Sequence, residues 1–269
     1  MNSKRVISGF IIAIVLGIIL LIKSNLITGI IFTVIALIAI NEYLRAVSKI
    51  CKPIKWVSYL SCISVMLINY IPKEYLSNTL LITIPSILLI LFLHIIITDM
   101  KINFKDIAYT FLGICYIPGF LMFLSLIDGM KNGKLLILYV IIASWVSDIF
   151  AYSIGRRYGK HKFSKVSPKK SIEGCIAGTV SSVLVALLYT FLLNKFAGFG
   201  YYYWQVVLFV ILLNLIGQIG DFSASAIKRY VNIKDYGTLI PGHGGILDRV
   251  DSVLFIAPFA YIIFTIIYI

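Results

Sequence analysis

Nine apolar runs separated by short polar breaks occupy most of this chain, at about 6–22, 26–40, 57–71, 80–97, 107–127, 135–154, 175–193, 203–219 and 253–269. A helix that crosses a bilayer uses roughly 20 residues, and the second and third runs are short by that measure. Backbone N–H and C=O groups cannot stay unpaired in hydrocarbon, so apolar runs of this length must be helical. Composition agrees, with 60% of the 269 residues hydrophobic, 13% charged and a mean hydropathy of +0.99. Soluble domains hold about 45–50% apolar and about 25% charged residues. A disordered chain, a secreted disulfide scaffold and a free-standing soluble enzyme are excluded. The expectation is an all-α, polytopic membrane protein with about nine transmembrane helices, forming a single domain over 1–269.

Lys4 and Arg5 ahead of the first run mimic a signal peptide. No small-x-small cleavage site follows the run, so it reads as a retained span. The four cysteines, Cys51, Cys62, Cys115 and Cys175, form no Cys-x-x-Cys pair and read as inert, buried thiols. A net charge of +13 in a soluble protein would point to nucleic acid. In a membrane protein it marks cytoplasmic loops facing anionic headgroups, and no nucleic-acid partner is expected. Counted alternately along nine spans, one set of loops carries nineteen Lys and Arg and the other carries five. This predicts a multi-pass protein of the plasma (inner) membrane with a cytoplasmic N-terminus and an extracytoplasmic C-terminus. The two longest loops, around 155–173 and 220–252, then share the cytoplasmic face, where the active site is expected.

Only eleven acidic residues are present. Glu42, Glu74, Asp99, Asp106 and Asp128 sit at run ends or in short loops and read as solvated boundary charges. Asp148 lies inside the sixth run, where a carboxylate costs at least roughly 2.5–3.5 kcal/mol and so faces a cavity, a cation or a partner. A structural pair with Arg156 or Lys228 is the alternative. The loop from Gly155 to Gly174 offers seven cationic side chains among small residues, which suits a substrate bearing several phosphates. An ordinary positively charged cytoplasmic loop reads the same way by charge alone.

The segment 217–252 is more specific. Asp221, Ser225 and Lys228 follow a spacing of i, i+4, i+7 along one helix face, and Asp248 and Asp251 share another at i, i+3. Carboxylates from two helix ends on one membrane face suit a hard divalent cation. The Pro241-Gly-His-Gly-Gly245 stretch lets backbone N–H groups close on phosphate oxygens. Together these imply phosphoryl or nucleotidyl transfer to a lipid.

The long pattern Asp221…Ser225-x-x-Lys228-Arg229-x₄-Lys234-Asp235-x-Gly237…Pro241-Gly-His-Gly-Gly245-x-x-Asp248-Arg249-x-Asp251-Ser252 resembles the phosphatidate cytidylyltransferase (CDP-diglyceride synthase) family. The upstream block Asp148…Ala151-Tyr152-x-x-Gly155-Arg156…Gly159-Lys160…Ser167-Pro-Lys-Lys170…Glu173-Gly174 is similar to the same family's other motif region, and the motifs together occupy about 145–252. Ala224 departs from the pattern, standing where many members carry Glu. The resemblance implies that CTP and phosphatidate give CDP-diacylglycerol and pyrophosphate with Mg²⁺, and it leaves room for K⁺ as a second cation and for a homodimer. It implies Asp221, Asp248, Lys228 and Arg229 as catalytic residues. Ser225, Lys169, Lys170, Lys234, His243, Gly244, Gly245 and Arg249 would bind substrate. Asp221 and Asp248 would hold metal, with Asp148 and Asp251 as the second choice. His243 is expected to bind phosphate rather than act as a base, because a phosphate monoester is already dianionic near neutral pH. A CTP-dependent lipid kinase is the main rival; it would leave CDP and a phosphorylated lipid. A transporter is the other, but no internal repeat appears and the diagnostic polar residues gather at one face.

Overall fold

The computed structural model describes residues 17, 22, 24–164, 167, 168, 170–239 and 244–267, with Ala197 and Ile267 described by backbone alone. The regular elements among them are all helical, and an isolated bridge pairs Lys162 with Ser171. Seven helical stretches are long and apolar enough to cross a membrane. Two of the nine expected runs are not among them. The first lies almost wholly outside the described residues. The third forms shorter pieces, α2 (Lys55–Ser61), α3 (Ile63–Leu67) and a 3₁₀ turn (Ile68–Tyr70), after α1 (Asn25–Val47). The hydroxyls of Ser58, Ser61 and Ser64 each bond back to a carbonyl three or four residues earlier, which competes with the helix ladder and breaks the run.

The chain divides into two compact units, one of residues 1–131 and 230–249, the other of 132–229 and 250–269. In the first, α1 buries Phe32, Ala36, Ala39, Ile40, Tyr43 and Leu44. Gly29 lets it approach the α3 backbone, since a Cβ there would lie 3.3 Å from Met66 Cα. After α4 (Lys73–Ile97), the pair α5 (Phe104–Tyr116) and α6 (Pro118–Asp128) completes this unit's helices up to residue 131. The Tyr43 ring lies on Gly113 and its hydroxyl donates to Tyr109 O at 2.9 Å. One end of the unit is tied by Lys52 N to Asp106 (2.6 Å) and Ile54 N to Thr110 (2.9 Å). The other is tied by Asn69 Nδ2 to Ser125 O (2.8 Å). The broken third run therefore reaches from one end of the unit to the other beside α5 and α6. Of the 25 residues of α4 only Leu91 is buried.

Three expected boundary charges are corrected here. Asp106 is buried and closes a capping box with Asn103 while holding Lys52 N. Asp128 is buried and accepts from the Thr28 hydroxyl of α1. Glu42 is also buried. A place at a run end does not show which neighbour needs a carboxylate, and Glu42 lies inside α1 rather than past its end.

The second unit begins with α7 (Gly133–Ile141), a π-helical turn (Ile142–Val146) and α8 (Ser147–Tyr158), and continues with α9 (Ile172–Ala197) and α10 (Tyr203–Tyr230), whose last residue belongs to the first unit. Helix α11 (Leu247–Ile267) enters it from Val250 onward. Tyr139 anchors the far end, with its hydroxyl 2.8 Å from Thr190 Oγ1 and its ring against Tyr189 and Phe209. Without a hydrophobic drive between helices in lipid, close packing of small residues holds them together. A Cβ at Gly174 would lie 2.7 Å from Ala151 O and one at Gly178 2.8 Å from Ser147 O, so α8 and α9 meet backbone to backbone. Gly217 and Gly220 of α10 make room instead for the Ile256 and Phe255 side chains of α11.

Candidate active site

Charged side chains from four segments of the second unit converge where these small residues bring the helices together. Asp148 stands in the first turn of α8, directly after the π turn. Such a turn disturbs the regular carbonyl pattern, and Asn214 Nδ2 of α10 takes up Ala143 O at 2.8 Å. Asn214 Oδ1 in turn accepts from Thr179 Oγ1 (2.6 Å) and Gln218 Nε2 (2.7 Å), and Gln218 also reaches Cys175 O. This buried amide network joins α9, α10 and the π turn beneath Asp148. The sequence reading missed it, although Asn214 and Gln218 stand at i, i+4 inside an apolar run, where polar residues are costly and so informative.

The basic loop is less open than its composition implies. Phe163 N donates to Lys170 O and Ile172 N to His161 O, so its two ends pair. Lys170 forms an ion pair with Asp221 of α10 and lies 4.7 Å from the centre of the Phe222 ring, which stacks on Phe163. Burial works against a charge on Lys170. The Asp221 carboxylate, with Asp148 and Asp251 behind it, outweighs burial and lifts the ammonium pKa above the usual lysine value. Lys228 lies within electrostatic reach of the buried Asp251, whose Oδ1 accepts from Ser252 N at 2.8 Å. Three carboxylates thus face two ammonium groups. A cavity of about 220 Å³ opens beside them, lined by Asp148, Ala151, Tyr152, Ser167, Lys170, Ser171, Gly174 and Cys175.

The first unit holds a second cluster, built on the start of α11. Asp248 is buried, and its Oδ2 accepts from Tyr236 N (2.8 Å) and Gly245 N (3.0 Å). Gly244 has φ +85°, which favours glycine, and a Cβ there would lie 2.9 Å from that oxygen. The Gly245 N–H expected to face phosphate is therefore engaged by Asp248. Glu42 of α1 accepts from Ile246 N (3.1 Å) and Leu247 N (2.8 Å), capping the helix that carries Asp248. Gly237 and Gly245 make room for it, since a Cβ on either would lie 2.4 Å from a Glu42 oxygen. Nothing in the spacing of the sequence connects Glu42 to a helix start about 200 positions away.

Of the residues expected at the site, Asp148, Lys170, Asp221, Lys228 and Asp251 are thus gathered in one unit, and Asp248, Gly244 and Gly245 in the other. Ser225 and Arg229 follow on the last turns of α10, Lys234 is exposed and Arg249 is half-buried at the start of α11. Lys169 and His243 lie outside the described residues. Among the described residues no three His, Cys, Asp or Glu side chains enclose a metal. Mg²⁺ does not need such a cage, because it takes one or two carboxylates and leaves its other positions to water and substrate phosphates. Asp148, Asp221 and Asp251 in one unit and Asp248 in the other are oxygen donors of the hard type that such an ion takes.

Fold and clusters together define a multi-pass membrane protein with carboxylates braced by lysines in one unit and by the N–H groups of a helix start in the other. The chain belongs to the cytidylyltransferase family, whose sequence model matches residues 3–267. It is similar to the phosphatidate cytidylyltransferase of Staphylococcus haemolyticus, 34% identical over 229 residues covering 83% of this chain and 84% of that protein. Proteins of the same name from Staphylococcus saprophyticus and Staphylococcus aureus are each 32% identical, covering 92% of this chain and 94% of their own length.

Proposed function

We propose that this protein transfers the cytidylyl group of CTP to phosphatidate, giving CDP-diacylglycerol and pyrophosphate. The Lys170–Asp221 pair beside a cavity, in a chain of this family, carries the reading. An oxygen of the lipid phosphate attacks the α-phosphorus of CTP, the new P–O bond forms in line, and the bond to the β-phosphate oxygen breaks. The attacking monoester has lost its second proton near pH 6, so no side chain needs to remove one. Lys170 exchanges Asp221 for a triphosphate oxygen as substrate arrives, and Lys228, Arg229 and the basic loop neutralise the leaving pyrophosphate. Asp221 and Asp248 would each offer carboxylate oxygen to Mg²⁺, which would supply close-range charge neutralisation. His243 binds phosphate oxygens. Nine spans, a cytoplasmic N-terminus and a plasma-membrane location complete the reading.

The test is purified protein in nanodiscs given CTP and phosphatidate. Pyrophosphate release that requires both substrates, together with CDP-lipid in the organic phase, is the expected result. Release of CDP instead would favour the lipid-kinase reading.

A further inference from the structure

A second cavity, of about 620 Å³, lies in the first unit between α1, Tyr59 and the segment 236–239. Its size falls within the roughly 300–1,000 Å³ of small-molecule sites. Its chemistry is graded along α1. Val34, Leu37 and Ile38 line one part, and Asn41 and Arg45 continue the same helix face. From Val34 to Arg45 this face rises about 16 Å at 1.5 Å per residue. Tyr59 donates its hydroxyl to Asn41 Oδ1 at 2.9 Å, which leaves the Asn41 amide N–H groups as that side chain's donors. Glu42 also borders the cavity, but both of its oxygens accept from the backbone of Ile246 and Leu247.

We infer that this cavity binds the lipid substrate, with the phosphate at Arg45 and Asn41 and the acyl chains along Val34, Leu37 and Ile38. A single guanidinium above an apolar wall suits a phosphate monoester carried on a hydrocarbon chain, since the fork bonds phosphate bidentately. Val34, Leu37 and Ile38 carry no polar side-chain atom, so this part of the wall suits a hydrocarbon chain. The cavity wall also includes Tyr236, whose N–H holds Asp248, so the lipid phosphate is delivered to the segment that positions the proposed metal ligand. This inference rests on phosphatidate being the acceptor, as proposed above.

The experiment compares the parent with Arg45→Ala, Arg45→Lys and the cavity-filling Leu37→Trp in mixed micelles. The KM for long-chain phosphatidate is measured at saturating CTP, and the KM for CTP at saturating phosphatidate. Arg45→Ala and Leu37→Trp should each raise the phosphatidate KM at least tenfold and leave the CTP KM within twofold, with Arg45→Lys between Arg45→Ala and the parent. A short-chain phosphatidate should compete, whereas glycerol 3-phosphate and inorganic phosphate at the same concentration should not. Equal competition by glycerol 3-phosphate, an unchanged phosphatidate KM in both variants, or an equal rise in the CTP KM would overturn the inference. Photo-crosslinking of the parent with a diazirine phosphatidate needs no variant to fold, and should label α1 between 34 and 45; labelling confined to other helices counts against the cavity. A parent that makes no CDP-lipid would refute the acceptor reading, while the crosslink still decides whether this cavity takes the lipid.

Discussion

Asp221 and Asp248 come from one sequence motif, yet their surroundings differ. Asp221 faces the Lys170 ammonium, and Asp248 is tied through one oxygen to two backbone N–H groups. Asp221→Asn removes the charge that Lys170 answers, and should abolish turnover while the protein still folds. Asp248→Asn should also abolish turnover, and where its amide nitrogen replaces the accepting oxygen it should lower stability by about 1–3 kcal/mol, since two buried donors lose their acceptor. Asp99→Asn is the control. Asp99 is exposed at φ +51°, a conformation that Asn adopts readily, and this variant should remain fully active. Near-normal rates for Asp221→Asn and Asp248→Asn at limiting Mg²⁺ would move the metal to Asp148 and Asp251. Lys170 has a folded pKa above its ordinary value, so its contribution to stability is complete below that ordinary value and is lost only as pH rises through the folded one. Chemical denaturation of the parent and of Lys170→Met should differ by a constant amount between pH 6 and 9; a gap that closes within this range would contradict the ion pair. Burial, with Asp106 adding to it, pushes the Cys51 thiol up to about 11; Cys62 and Cys175 are buried as the sequence led one to expect, whereas Cys51 and Cys115 are half-buried.

At the scale of elements, the apolar runs announced the helices, because lipid permits little else. The glycines were legible as a pattern but not in their role. Gly174 admits the α8 backbone, and Gly245, expected from the sequence to face phosphate, admits a glutamate from α1. Which neighbour a glycine accommodates depends on packing between distant segments, and spacing along the chain does not encode it. The same holds for Glu42 and for the Asn214 network. Asn214→Leu leaves Ala143 O, Thr179 and Gln218 without this partner. It should lower the thermal midpoint and reduce kcat through the π turn that precedes Asp148. Asn214→Leu with unchanged melting and unchanged kcat would show that the network neither braces α10 nor positions Asp148. Glu42→Gln keeps the shape but loses the charge and one acceptor, so it should cost less stability than Glu42→Ala; equal losses would argue against a cap.

For the whole molecule, the distribution of Lys and Arg predicts the orientation. Nineteen of these residues fall on the loops assigned to the cytoplasm and five on the others. A phosphatase fused after residue 269 should be active outside the cell and a fluorescent protein there should stay dark. The reverse result would remove one crossing, with the broken third run as the first to re-examine. The all-helical class was readable from sequence, and the charged residues that the structure gathers into two clusters stood out there because charge is so sparse in such a chain. The partners of those carboxylates were not readable, since they come from elements far apart in the chain. Label transfer tests the central claim most directly. Nanodisc-embedded protein is given phosphatidate with CTP labelled at either the α- or the γ-phosphate. The account predicts that α-label enters the lipid and γ-label leaves as pyrophosphate. Lipid that acquires γ-label, with α-label remaining in CDP, would contradict it.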